Sequence, residues 1–297
     1  MNELLRRRLK CLYTRMLCLH TITPLLYADY FRSYHKILNL KNPDTVGAKI
    51  QWIKKYGQLE RYTDLVDKYK VMEYITKEIG DKYLPKVYGV FNNSSEIEFN
   101  NLPEKFVLKC NHGSGEVYIC KDKKNITQSE WKQTLEKLAE WLSTNFYEVT
   151  RERQYKDIER KIICEEYLED DSGSLRDYKI YCFNGKPEYI SVNVNPHTPE
   201  LTIDYFNLDW KKCDEFNCVG EKNSFIPIKK PDNLKEMINI AKILSQKFSY
   251  VRVDLRSVEG KTYFGELTFT SSNGTCPFKN QEKEKEIAKL IDLKNYH

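Results

Sequence analysis

The chain has 297 residues, 40% of them hydrophobic, with a net charge of +5 and nine cysteines. That length fits two domains or one large subdivided one, and that apolar content is enough for a packed core. The cysteines are odd in number and scattered with no CxxC pair, which argues against a zinc site or a disulfide framework and makes reduced cytosolic thiols the default.

The mild positive charge favours anionic partners such as nucleotides, phosphates or acidic glycans. Beyond the N-terminal stretch the basic residues are not clustered with aromatics, which argues against a nucleic-acid binder. Residues 2–20 place Leu4, Leu5, Leu9, Leu12, Met16 and Leu19 at helical spacing among Arg6, Arg7, Arg8, Lys10 and Arg15. His20 and Pro24 spoil a signal peptide, and the run is too polar to cross a membrane. Two readings stay open: an amphipathic helix packed on the domain, or a basic helix resting on an anionic membrane surface at the inner face of the membrane.

Residues 21–83 read as mostly helical, with starts at Asp44-Thr45 and at Asp64, the latter running through Ile75 to Gly80. Lys68 lies in this region and faces either solvent or a ligand. From Lys86 the pattern changes to strands: Val87–Phe91, Phe106–Cys110 and Glu116–Cys120. Between the last two runs Asn111-His112-Gly113-Ser114-Gly115, after a strand that carries Lys109. Glycines let backbone N–H groups approach phosphate oxygens, and a serine adds a donor. The loop is neither a Walker A nor a Rossmann fingerprint, so a plain hairpin turn is the competing reading.

Ser129 to Asn145 reads as an amphipathic helix with Ser129 a candidate cap. A strand over Ile162–Leu168 ends in acids, and a polar link over 169–174 follows. Asn184-Gly185 between two strand-like runs is a strong hairpin signal. Residues 196–230 read as loop-rich, Leu234–Phe248 as a helix and Gln281–Leu293 as a charged helix.

The most informative stretch is Tyr250–Gly274, two strands joined by a turn at Glu259-Gly260. Asp254 and Glu266 are carboxylates in otherwise apolar strands, which is costly unless they are paired or bind a cation. Antiparallel pairing about the turn brings them together. Their hard oxygens suit Mg²⁺ shared with nucleotide phosphates. The alternative is that both pair with Arg252, Arg256 or Lys261.

The order of these features resembles an ATP-grasp ligase, and more narrowly the TupA-like ATP-grasp family of bacterial cell-surface polysaccharide loci. The resemblance rests on LKNPDTVGAKIQWIKKYG, LVDKYKVMEYI, YLPKVYGV, LPEKFVLKCNHGSG, IICEEYL, DYKIYCFNGKP, and RVDL with YFGELTFTSSNG, over about residues 40–275. It implies an α+β ATP-grasp fold in which two lobes sandwich ATP. A helical region over 1–83 would precede a small lobe with the flap loop over 84–168 and a C-terminal lobe with the metal site over 169–297. Lys109 then resembles the strand lysine that reaches the phosphates, with Lys68 and Lys179 as further phosphate contacts. Gly113, Ser114 and Gly115 resemble the flap, and Glu165, Glu166, Tyr167 and Leu168 the hinge that meets adenine. Asp177 would hold the ribose. Asp254 and Glu266 match the Mg²⁺ ligands, and Arg252 the arginine that steadies the acyl-phosphate. Many relatives carry asparagine where Thr268 stands, and Asn273 is a substitute ligand. His112 is a candidate base or substrate contact.

By the same resemblance the protein is expected to be a cytoplasmic enzyme that forms an amide through an acyl-phosphate. Its partners would be a small-molecule or glycan carboxylate and an amine, such as a uronic acid of a capsule, O-antigen or teichuronic-type polymer and an amino acid, or the reverse. A kinase that stops at phosphoryl transfer, or a non-catalytic nucleotide-binding partner of a polysaccharide assembly complex, are the alternatives.

Overall fold

A computed structural model describes residues 3–18, 21–169, 175–196 and 198–296. Most of the link read over 169–174 lies outside them, as do Leu19, His20 and the side chains of Leu4, Leu5 and Arg8.

The chain begins with helices α1 (Glu3–Leu17), α2 (Thr23–Tyr34) and α3 (Val46–Tyr56). Thr45 caps α3 by accepting from the Ala48 N–H, as its place before an apolar-periodic run predicts. The single helix expected from Asp64 is two, α4 (Thr63–Val66) and α5 (Val71–Ile79). Asp67 breaks it, because its Oδ1 accepts from the N–H groups of Tyr69 and Lys70 and from the Asn111 amide. Residues of α3, α4 and α5 join the largest core of the molecule, so this helical region shares its packing with the C-terminal sheet.

Strands β1 (Val87–Phe91), β2 (Phe106–Cys110), β3 (Val117–Cys120) and β4 (Ile162–Glu166) form one antiparallel sheet in the order β1-β4-β2-β3. Helix α6 (Gln128–Ser143) covers one face of it, and α7 (Phe146–Thr150) follows. Thr127, not Ser129, caps α6 in a capping box with Glu130.

Strands β5 (Asp177–Phe183), β6 (Lys186–Val194), β7 (Thr202–Asn207), β8 (Tyr250–Val258) and β9 (Lys261–Thr268) form the second sheet, antiparallel throughout, in the order β7-β6-β5-β8-β9. Asn184 and Gly185 turn β5 into β6 at φ 48° and 74°, and Glu259 and Gly260 turn β8 into β9 at 50° and 76°. These are the left-handed positions that tight hairpins require. Helix α8 (Leu234–Ser245) packs Met237, Ile240, Ala241 and Leu244 into the core under this sheet, and α9 (Gln281–Ala288) lies near the end of the chain. Strand β7 falls in the segment read as loop-rich. Its Asp204 is buried and held by Lys212 at 2.7 Å, the Asn223 amide at 3.0 Å and the Ser224 N–H at 2.9 Å. A buried acid in a strand erases the alternation by which strands are recognised.

Cys218 and Cys276, 58 residues apart with Cα atoms 5.7 Å apart, form a disulfide, which corrects the expectation of wholly reduced thiols. Spacing alone does not reveal a pair this distant in sequence. Helix α1 packs on α7: Thr14 is buried and donates to the Val149 carbonyl, and Arg7 pairs with Glu116 at 2.6 Å. Leu9, Leu12 and Met16 remain exposed, so one helix carries both a packed face and an apolar edge in solvent. No helix among the described residues is long and apolar enough to cross a membrane.

His112 is turned into the protein, 1% exposed, with Nε2–H donating to the Thr144 carbonyl at 2.9 Å. It does not face solvent as a loop histidine would. Burial is the main cause that pushes its pKa from 6.5 down to about 4, with Lys68 and Arg160 adding to the shift. Below about pH 6.5 the unfolded chain takes up a proton that the folded chain refuses until about pH 4, so stability falls across that window by up to ~3 kcal/mol. Denaturant titrations at pH 6.5 and 4.5 should show His112→Gln losing clearly less stability between the two values than the wild type. An equal loss in both proteins would contradict a neutral buried imidazole.

Candidate functional site

Strand alternation decides which side chains meet. In β2, Phe106 and Leu108 enter the core under α6, so Val107 and Lys109 take the other face. In β4, Ile162 and Cys164 enter that core and Glu165 opposes it. In the second sheet Tyr178, Ile180 and Cys182 of β5 and Val251, Val253 and Leu255 of β8 are core residues. Asp177, Lys179 and Tyr181 and then Arg252, Asp254 and Arg256 stand on the opposite face. The two non-core faces enclose a cleft of about 470 Å³.

Cross-strand register sets the polar rows of this cleft. Lys179 on β5 lies opposite Asp254 on β8, which lies opposite Glu266 on β9. One row along, Tyr181 opposes Arg252 and Arg252 opposes Thr268. Arg252 grips Asp254 with two parallel bonds, Nε to Oδ1 at 2.6 Å and Nη2 to Oδ2 at 2.7 Å. The same Nη2 reaches Glu266 at 3.2 Å and the Thr268 hydroxyl at 3.1 Å. Lys179 Nζ donates to Asp254 Oδ2 at 2.6 Å. Burial works against the Asp254 charge, but Arg252 and then Lys179 outweigh it and hold the carboxyl below its ordinary value. Burial likewise opposes the Arg252 charge, and Asp254 more than offsets it.

Gly265 makes this row possible. The register shifts by one residue between Asp254 and Leu255, which leaves Gly265 as the extra residue of a bulge. A Cβ there would lie 3.0 Å from the Asp254 carbonyl oxygen.

On the opposing sheet Lys109 Nζ lies 2.6 Å from Glu165 Oε2. Burial lowers the lysine pKa, and Glu165 offsets part of that. Lys68 lines the cleft and donates to the Gly113 carbonyl, so it anchors the loop before Ser114 and Gly115, which also line the cleft. Gly115 has φ 77°, which favours glycine. Glu166, Tyr167 and Leu168 form one end of the cleft, and Asp177 lines it while accepting from Arg256 Nε at 3.0 Å.

The cleft therefore gathers Lys68, Lys109, Ser114, Gly115, Glu165–Leu168, Asp177, Lys179, Arg252, Asp254 and Glu266. Thr268 touches the cluster through Arg252 and Glu266 without lining the cleft. Gly113 does not line the cleft itself but holds the loop through its carbonyl on Lys68, and two more expected residues lie elsewhere. His112 is packed behind the loop, as described above. Asn273 has φ 55° in a turn against α3, where its side-chain oxygen accepts from the buried Lys54 at 2.5 Å. Both departures have one cause: a tertiary partner claims the polar group.

Two contributors go beyond the expected site residues: Arg256, read only as a possible partner of Asp254 or Glu266 and found on Asp177, and Asn111, read only as part of the loop. Arg256 shares the face of Arg252 and Asp254 by two-residue spacing, which was a readable signal. Asn111 had none. It is fully buried, donates to Asp67 and to the Glu159 carbonyl at 2.9 Å each, and accepts from the Lys161 N–H at 2.8 Å. That knot fixes the loop carrying Ser114.

Chemically, the cleft offers several cations along one path and two hard carboxylates at its floor. Asp254 and Glu266 pair with Arg252, as the non-metal reading expects, while Lys261 takes no part in the pairing. Glu266 keeps 38% of its side chain exposed, so a divalent cation entering from the cleft finds oxygen donors of the type Mg²⁺ prefers. The residues present fit that ion together with a polyphosphate.

Among solved structures, a D-alanine–D-alanine ligase from Bacillus anthracis in complex with ATP matches at 18% identity and TM-score 0.43, over 76% of this chain and 61% of that one. N5-carboxyaminoimidazole ribonucleotide synthetase in complex with ADP matches at 14% and 0.43, over 79% of this chain and 52% of that one. An L-amino acid ligase from Bacillus licheniformis matches at 14% and 0.41, over 71% and 42%. The chain thus spans less than two thirds of each of these proteins. No curated protein matches the chain. The model of the family described as TupA-like ATPgrasp matches residues 48–292. With that match over most of its length and with the two-sheet cleft described above, the chain belongs to the TupA-like ATP-grasp family and has the ATP-grasp fold.

Proposed function

We propose that this protein is an ATP-dependent carboxylate–amine ligase that joins an amine to a carboxylate through an acyl-phosphate, with a bacterial surface polysaccharide supplying one partner. The observation that carries the reading is the shared cleft: Lys109 from one sheet faces Lys179, Arg252, Asp254 and Glu266 from the other. Family membership supports nucleotide use, and the net charge of +5 suits anionic substrates.

In this reading ATP lies between the sheets with adenine toward Glu166–Leu168 and phosphates between Lys109 and Lys179. A substrate carboxylate oxygen attacks the γ-phosphorus, and ADP leaves with the bond's electron pair. The amine nitrogen then attacks the acyl carbon, phosphate departs, and the nitrogen's proton passes to solvent. Asp254 and Glu266 would hold Mg²⁺, which supplies charge neutralisation for the phosphates when bound. Lys109 binds the phosphates of the ground state. Arg252 stands where charge gathers during transfer, in a buried site where such contacts are strong. The sheets on either side exclude water from the acyl-phosphate.

Three variants separate these roles. Lys109→Ala should weaken ATP binding about tenfold or more by calorimetry. Arg252→Lys keeps a cation beside Asp254, so it should leave ATP affinity near wild type and lower kcat roughly 30- to 1,000-fold. Reversed effects would exchange the two assignments. Glu266→Gln, at a partly exposed position, should abolish ADP release with little change in melting temperature, whereas near-normal turnover would remove it from the metal site. A ligase releases ADP only with acid present and forms amide only with amine also present. ADP release with a phosphorylated product that no amine converts would instead indicate a kinase.

A further inference from the structure

The polar face of the second sheet does not end at the cleft. The row Glu266–Asp254–Lys179 continues through Ser191 on β6 to Tyr205 on β7. Over that far half lies a second cavity of about 210 Å³, and Lys179 and Arg252 line both. The two cations are therefore the common wall between the proposed nucleotide site and a smaller chamber.

Three observations say what the chamber holds. First, it is lined by polar atoms with no partner among the described residues: Asn193 Oδ1, Tyr250 Oη and Ser271 Oγ. Tyr250 is 1% exposed, and its hydroxyl is near that of Ser271 without reaching hydrogen-bond geometry. Buried polar groups left unpaired are costly, and a ligand that bonds them recovers the cost. Second, Glu221 lines the chamber with its carboxylate fixed by the Tyr205 hydroxyl at 3.2 Å and the Cys218 N–H at 2.7 Å. No cation pairs with that carboxylate within ion-pair distance among the described residues, and the nearby Lys279 donates to the Glu221 backbone carbonyl at 3.2 Å. Third, the poles are ordered. Tyr205, which holds Glu221, is on β7, two strands from Lys179 and three from Arg252, or roughly 10 and 14 Å between backbones. Burial raises the Glu221 pKa, against the Cys218 N–H and the Tyr205 hydroxyl, so a cation at this end would be needed to settle its charge. The chamber has a carboxylate at one end and cations at the wall it shares with the cleft.

We infer that this chamber binds the acid substrate, and that the acid is an amino acid or similarly small zwitterion whose ammonium group meets Glu221 while its carboxylate points to Lys179 and Arg252. The inference rests on the ligase reading and chooses between its two polarities. A uronic acid has no cation for Glu221, and about 210 Å³ suits one small molecule rather than a polymer segment. An amino acid placed this way presents its carboxylate oxygen to the γ-phosphorus across the shared wall, and the amine of the second step comes from outside the chamber.

The test uses the full chain with Mg·ATP and hydroxylamine, whose nitrogen displaces phosphate from an acyl-phosphate to give a coloured hydroxamate. The probes are the twenty common amino acids, D-alanine, D-glutamate, glucuronate and galacturonate. Hydroxamate should form with one or more amino acids and not with the uronates. Glu221→Gln should raise KM for the active amino acid about 10- to 100-fold while ATP affinity by calorimetry stays unchanged. The unchanged ATP affinity also reports that the variant is folded. Ser191→Leu, which fills the chamber floor, should act in the same direction. Hydroxamate from uronates alone, or an unchanged KM in Glu221→Gln, overturns this inference and leaves the ligase reading standing. No hydroxamate from any of these acids overturns this inference, and if a polyuronate gives none either, the ligase reading is overturned as well.

Discussion

The structure depends on keeping an arginine, a lysine and two carboxylates together across three neighbouring strands of a β-sheet. Arg252 and Asp254 are almost inaccessible to water, and neither charge is tolerable there alone. The solution is geometric. Antiparallel register sets Lys179, Asp254 and Glu266 in one row and Arg252 in the next, and the bulge at Gly265 brings β9 close enough to complete it. Such a cluster contributes little net stability, because desolvation offsets most of the Coulomb attraction. What it provides is position: charged groups held at fixed places before any substrate arrives.

The same strands divide stability from chemistry by alternation. On β5, Tyr178, Ile180 and Cys182 carry the core, while Asp177 and Lys179 face the cleft and Tyr181 the second chamber. The smaller sheet repeats the arrangement, with Leu108 inward and Lys109 outward. One consequence is that the charged cluster rests on regular strands, while Lys68, Tyr167, Leu168 and the segment around Ser114 reach the cleft from outside them. That segment is tied down by Asn111 at its base and by Lys68 on Gly113. A second consequence is that the functional face is as wide as the sheet, which is why a second chamber can share a wall with the first.

The features legible in the sequence were those set by neighbours along the chain. The turn at Glu259-Gly260 showed that β8 and β9 pair, but counting from it puts Gly265 opposite Asp254, and the bulge at Gly265 is what moves Glu266 into that row. Thr45 before an apolar run identifies the start of α3, and the Thr127–Glu130 box is an equally local signal that the structure uses in place of Ser129. The features that were not legible depend on partners far away in sequence. Lys54 takes Asn273 across 219 residues, Cys276 takes Cys218 across 58, and the inward turn of His112 depends on the Thr144 carbonyl. Asp204 hid β7 because the partners that let this acid be buried, Lys212, Asn223 and Ser224, come from later segments of the chain. Composition and periodicity do not record such choices, since each residue involved would behave differently beside another partner.

The central claim is that the cluster around Asp254 and the lysine on the opposite sheet form one site for a nucleotide polyphosphate. A crystal structure with Mg²⁺ and a non-hydrolysable ATP analogue tests it most directly. The account predicts the triphosphate between Lys109 and Lys179, a metal ion on Asp254 and Glu266, and adenine beside Glu166–Leu168. A nucleotide bound outside this cleft, or a bound nucleotide whose metal contacts neither Asp254 nor Glu266, would contradict it.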